Sequence, residues 1–298
     1  GCPNPAHGGG SGTAAGDPVD VAGGRVFTIP QLDLVLPGPL TLRVHRSYSL
    51  TAIDRDVGLG YGWTCSLSWE LEVRRRTIVI HRPNGTRTTR PLPEVGGALD
   101  LGQGTTLRRD ETTYIVLDPD GLTHLFRPSE GEPGRWQPSA IVDRHGNRIT
   151  LIYRGDTLEM LIDSAGRFAH VRRTADGHIA GFDVDGGAGR LARYRTYEYD
   201  EGGDLVVVRD GEGSPLRFSY EEHRLTRVEY ATGLEVHFVY DARGRCVETW
   251  CDHGAAADPA LASDVPATLA DGHTKAKGVL HAKLELGRRL GGRGEDDA

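Results

Sequence analysis

The chain has 298 residues, of which 38% are hydrophobic, and glycine reaches 41 residues and proline 16. That composition favours turns over long helices, and a formal charge of −7, from 35 Lys and Arg against 42 Asp and Glu, opposes a polyanionic partner such as nucleic acid. No window approaches the roughly 18 unbroken apolar residues of a membrane span, and the start, Gly1-Cys2-Pro3-Asn4-Pro5, lacks an initiator Met and a signal-peptide pattern, as expected of a fragment of a longer chain.

Residues 1–16, centred on Gly8-Gly9-Gly10-Ser11-Gly12, have the composition of a flexible linker, so folded structure is expected from about Asp17. Short period-2 bursts follow, the signature of half-buried strands: Leu32, Leu34 and Leu36; Leu40, Leu42 and Val44; Leu67, Trp69, Leu71 and Val73. Thr77 to His81 and Thr86 to Arg90 flank Pro83-Asn84-Gly85, and Asn-Gly between two β-prone runs predicts a hairpin. Three glycines beside two aromatics in Gly58-Leu59-Gly60-Tyr61-Gly62-Trp63 predict a tight structural corner.

From Leu117 onward the chain repeats itself. Turns open with Asp and close with Gly in Asp118-Pro119-Asp120-Gly121, Asp143-Arg144-His145-Gly146, Asp163-Ser164-Ala165-Gly166 and Asp241-Ala242-Arg243-Gly244-Arg245, with Ala175-Asp176-Gly177 as a looser version. The Asp side chain accepts backbone N–H bonds and Gly takes the positive φ that closes the turn. Between turns lie Tyr197-Glu198-Tyr199-Asp200, Phe218-Ser219-Tyr220-Glu221 and Phe238-Val239-Tyr240-Asp241. Their tyrosines Tyr199, Tyr220 and Tyr240 recur at a step of about 20 residues, one hairpin per repeat, and are expected to form a ladder on one face. Past Cys251 the pattern stops. Asp258-Pro259 resembles a helix start, Val279 to Leu286 reads as one more strand, and the final twelve residues read as a disordered tail.

Tyr199-Asp200 and Tyr240-Asp241-Ala242-Arg243-Gly244-Arg245 resemble the Rhs/YD-repeat family, whose hairpin runs Tyr-Asp, a few residues, then Gly-Arg. Gly16-Asp17-Pro18-Val19-Asp20, Leu42 to Tyr48 and Gly58 to Trp63 resemble its conserved N-terminal region in the same order, and the likeness spans roughly residues 16–285. The segments at Asp183 and Tyr220 lack the Gly-Arg element and are degenerate. The resemblance implies an all-β fold in which antiparallel hairpin repeats form a curved continuous sheet, a segment of a β-cocoon shell. It divides the chain into a linker 1–16, an N-terminal β domain 17–130, a repeat sheet 131–252, a loop with a short helix and last strand 253–286, and a tail 287–298. It further implies a structural shell of a polymorphic toxin, with an enclosed effector and the rest of the shell as partners and a secretion-system spike or adaptor as a further one, acting after extracellular delivery. Asp118-Pro119-Asp120-Gly121-Leu122 superficially resembles the family's self-cleavage motif but sits inside a turn-strand pattern.

No catalytic residue, cofactor or metal is expected. Cys2, Cys65, Cys246 and Cys251 are too few and scattered for a disulfide framework, and Cys246, Cys251, Asp252 and His253 lack the second cysteine pair of a structural zinc site. The acidic turns lack calcium-loop spacing. Arg74-Arg75-Arg76 is expected as a solvated strand edge rather than a phosphate cradle. The residues expected to define the repeat are Tyr199, Asp200, Tyr220, Tyr240, Asp241, Gly244 and Arg245, with Asp143, Gly146, Asp163 and Gly166. The competing reading is a secreted or surface β-repeat module that binds carbohydrate or protein.

Overall fold

The computed structural model describes residues 14–15, 18–185, 191–213, 215–253, 268–269 and 271–286. Most of the 1–16 linker, the Gly16-Asp17 pair, Gly186-Gly187, the Asp258-Pro259 helix start and the 287–298 tail lie outside the described residues.

The fold is all-β and built on one 19-stranded antiparallel sheet. From Ala98–Asp100 to Val279–Lys283 every strand pairs with the next one in the chain, so the sheet grows by adding hairpins in sequence order. The alternation read from the sequence follows from this. Strand Leu234–Tyr240 buries Val236 and Phe238 while Glu235, His237 and Val239 face outward. A branch leaves the sheet at Arg135–Val142, which pairs at Arg135 and Trp136 with Glu72 and Leu71 of Glu70–Val73 and further along with Arg148–Arg154. Glu70–Val73 continues into Thr77–His81 and then Arg87–Pro91. The Asn-Gly hairpin therefore stands, with Gly85 at φ +78°. Arg74-Arg75-Arg76, by contrast, forms the connection between two strands rather than part of one, because Arg74 N already bonds Thr77 O at 2.8 Å.

Two cores result. Trp69, Leu71, Ile78, Ile80, Leu107 and Phe126 close the branch on the first strands of the meander. The larger core joins residues 19–67 to the hairpins between Ile141 and Cys251. Within that N-terminal segment, Gln31–Leu36, Leu42–Tyr48 and Trp63–Cys65 make a separate 3-stranded sheet, which lies against the large sheet instead of joining it.

Candidate functional site

The turns show why Asp and Gly recur. Asp241 Oδ1 accepts the N–H groups of Arg243 (2.9 Å) and Arg245 (3.0 Å), while Arg245 Nη2 donates to Oδ2 at 2.7 Å. Asp163 does the same for Ala165 and Arg167, and Asp143 for His145 and Asn147. Asp200 accepts from Asp204 N at 2.9 Å. Gly146, Gly166 and Gly244 close their turns at φ +83°, +80° and +72°, a region where a side chain is strained. In the looser turn Thr174 replaces Asp, its Oγ1 accepting His178 N at 3.1 Å. Asp183 is not a turn opener: it is buried within Ile179–Asp185 and pairs with Arg172 at 2.7 Å. The hydrogen bonds hold Asp143 and Asp241 below the ordinary carboxylate range, through Asn147 in the first and through the Arg245 N–H and guanidinium in the second.

Each tyrosine stands beside a β-bulge. Tyr199 faces Leu205 while Glu198 faces Val207, Tyr220 faces Leu225 while Ser219 faces Arg227, and Tyr240 faces Cys246 while Val239 faces Glu248. The return strand thus carries one extra residue, which bends it and re-aims the side chain opposite. The hydroxyl then reaches back to the preceding hairpin. Tyr220 Oη donates to Leu205 O at 2.7 Å, Tyr240 Oη to Leu225 O at 2.6 Å, and Tyr199 Oη to Ile179 O at 2.7 Å. The acceptors sit at the start of return strands, Ile179 and Leu205 as first residues and Leu225 as the second. The rungs therefore run between repeats, and burial pushes all three phenols well above the ordinary tyrosine range.

Two members of this series escape the sequence pattern. Arg173 occupies a tyrosine's place, facing Ile179 beside a bulge and donating from Nη2 to Leu158 O at 3.1 Å. Tyr153 faces Leu158 beside the earliest of these bulges. The shared signal is a long hydrogen-bonding side chain just ahead of a turn, and it is hidden because Arg173-Thr174 and Tyr153-Arg154 lack the Tyr-Asp pair. At the far end, continuing the Glu248–Lys283 register sets Leu286 in the same place, where its Cδ1 crowds Gly24.

The N-terminal segment is fastened along this ladder. Ile179 N donates to Gly58 O (2.6 Å) and Cys246 N to Gly24 O (2.7 Å), while Leu225 N donates to Tyr48 Oη (3.1 Å). Trp63 Nε1 donates to Tyr220 Oη at 2.8 Å. Gly60 has to be glycine, since a Cβ there would lie 2.8 Å from Gly203 O. Deeper in the contact, Arg46 and Asp33 form an ion pair at 2.9 Å with both side chains 2% exposed, and Tyr197 Oη donates to Asp33 at 2.7 Å. Arg46 also lies over the Trp63 ring, 4.8 Å from its centroid. Burial alone lowers the pKa of Arg46, but the Asp33 charge and hydrogen bond outweigh it and raise it.

Two clusters among the described residues have metal-ligand types, Glu70, Glu72 and His81, and Glu235, His237 and Asp252. Their carboxylates already serve cations and donors of the chain: Arg55 and Arg135 on Glu70, Arg227 on Glu235, and Trp250 on Asp252. Cys65, Cys246 and Cys251 are buried, and burial pushes the thiols of Cys65 and Cys246 up to about 11, away from nucleophilic use at neutral pH. Among the described residues, no helix is long and apolar enough to cross a membrane.

What these elements define is a β-hairpin repeat array with an N-terminal segment laid against it. Residues 16–89 match the family described as Domain of unknown function (DUF6531). Among curated proteins, "Double-stranded DNA deaminase toxin A" of Burkholderia cenocepacia is 28% identical over 261 residues, which is 80% of this chain and 17% of the relative. "Probable deoxyribonuclease RhsB" of Dickeya dadantii is 33% identical over 267 residues, with the same 80% and 17% shares. The Tc holotoxin pore of Photorhabdus luminescens is similar at 12% identity and a TM-score of 0.32, over 78% of this chain and 11% of that one. The chain resembles the Rhs-type family, and it spans about a sixth of the length of these curated relatives.

Proposed function

We propose that the chain is a non-catalytic segment of a YD-repeat shell that encloses a polypeptide effector and helps deliver it outside the producing cell. The observation that carries this reading is the ladder. Each hairpin is bonded through Tyr199, Tyr220 or Tyr240 to the one before it, so the array lengthens by repeating one contact. Asp200, Asp241, Gly244 and Arg245 build the turns that follow Tyr199 and Tyr240, and Asp143, Gly146, Asp163 and Gly166 build turns at the opposite ends of the strands. The activities named for the relatives would then belong to an effector, with the rest of the shell, that effector and a secretion spike or adaptor as partners.

The test is protease protection of the full-length protein that carries this chain. The reading expects an effector domain that stays intact at protease levels that digest it once the shell is unfolded. An effector cut at the same rate in both states would overturn it.

A further inference from the structure

Residues 73–93 hold six arginines, Arg74, Arg75, Arg76, Arg82, Arg87 and Arg90, and no Asp or Glu, in a chain whose net charge is −7. They form the hairpin of Thr77–His81 with Arg87–Pro91 and the turn before it, and Arg87–Pro91 is the terminal strand of the large sheet. Arg74 reaches Glu72 and Arg87 reaches Asp54 at the surface, whereas Arg75, Arg76, Arg82 and Arg90 form no ion pair among the described residues. Arg82 is half-buried with its Nε unpartnered, while its Nη2 donates to Leu101 O. Burial, and then the charge of Arg90, hold Arg82 below the ordinary arginine range. The backbone of the terminal strand is open as well. Arg82 N donates to Thr86 O and Leu92 N to Arg76 O, both at 2.9 Å. Alternation therefore turns the main chain of Thr88 and Arg90 toward Thr77–His81 and that of Arg87 and Thr89 outward. Pro91 holds the next outward position and has no N–H, which limits the free edge donors to those two residues.

We infer that this edge takes up an acidic, extended segment of a separate polypeptide, which adds a strand along Arg87 and Thr89 and sets its carboxylates against the unpaired arginines. Strand addition draws affinity from main-chain hydrogen bonds, and the guanidinium fork suits a carboxylate in two-point contact. Two other occupants fit less well. A second copy pairing edge to edge would bring the same arginines face to face across a two-fold axis, where like charges repel. Nucleic acid has no peptide groups to pair with Arg87 and Thr89, and the net charge of −7 opposes it. The surface does not depend on the array enclosing an effector.

The experiment is fluorescence anisotropy on the full-length protein with a labelled peptide of alternating Thr and Glu. It is run beside the Thr-Lys counterpart, a Thr-Glu peptide N-methylated at alternate amides, and inorganic polyphosphate of equal charge. The Thr-Glu peptide should bind about tenfold more tightly than either altered peptide, and Arg90→Ala, at an exposed position, should weaken it about tenfold. In hydrogen exchange, the bound peptide should protect the amides of Arg87 and Thr89 and leave those of Thr88 and Arg90 unchanged. Equal binding of all three peptides, or of none, would overturn the inference. A Thr-Glu peptide that binds no better than polyphosphate would assign the arginines to a polyanion and overturn it too. Self-association that Arg90→Ala abolishes would assign the edge to a second copy, with the same consequence.

Discussion

The Tyr220 hydroxyl donates to Leu205 O at 2.7 Å and accepts from Trp63 Nε1 at 2.8 Å, so one phenol ties its own hairpin to the preceding hairpin and to the N-terminal segment. Tyr240 makes the equivalent bond to Leu225 O without an aromatic donor. Tyr220→Phe strips both the indole N–H and the Leu205 carbonyl of their partner, whereas Tyr240→Phe strips only the Leu225 carbonyl, and each buried group so orphaned costs about 1–3 kcal/mol. Denaturant unfolding of the two variants should rank Tyr220→Phe as the more damaging. The opposite order would show that the Trp63 contact adds nothing.

Seven phenols, Tyr48, Tyr114, Tyr153, Tyr197, Tyr199, Tyr220 and Tyr240, have burial-raised pKa values. A raised phenol binds its proton more tightly when folded. Its contribution to stability is complete below the unfolded value of about 10 and is lost as pH rises beyond it. Spectrophotometric titration should show these phenols ionising together with loss of the sheet signal in circular dichroism. Smooth ionisation near pH 10 in a folded protein would contradict their burial.

Gly146 and Gly60 separate two demands made on glycine. Gly146 has positive φ but open space around a would-be Cβ, whereas Gly60 combines φ +84° with backbone of Gly203 and Leu205 within 3 Å. Gly146→Ala should cost about 1 kcal/mol through conformation alone. Gly60→Ala should cost clearly more and loosen the seat of the N-terminal segment. Equal melting shifts for the two would refute the close approach.

Asp143 and Asp241 carry lowered pKa values, so the stability they lend is present above the ordinary carboxylate range and lost as pH falls through their folded values. Asp241→Asn should therefore destabilise at pH 7 and differ less from the parent in strong acid. A gap that widens on acidification would contradict the turn's charge-assisted bonds.

Much of this was legible in the residues. Tyr199, Tyr220 and Tyr240 announced a hairpin period, and Asp-to-Gly turns announced their closures, because both rest on local chemistry. The partners of those hydroxyls were not legible, since Leu205 and Leu225 become acceptors only through the pairing of successive hairpins. Arg173 was invisible for a related reason: its role is set by the bulge opposite Ile179, not by its residue type. Arg46 and Asp33 lie 13 positions apart on neighbouring strands, with no spacing that marks them as a buried pair. Removing Asp33 alone should cost about 3–5 kcal/mol, since Arg46 would be left charged and buried.

The most direct measurement for the shell reading is electron cryomicroscopy of the full-length protein that carries this chain. The account predicts hairpins that continue past Val279–Lys283 in the same ladder, closing around a separate polypeptide. An array that ends near Leu286 with solvent on both faces would contradict it and favour a self-contained binding module.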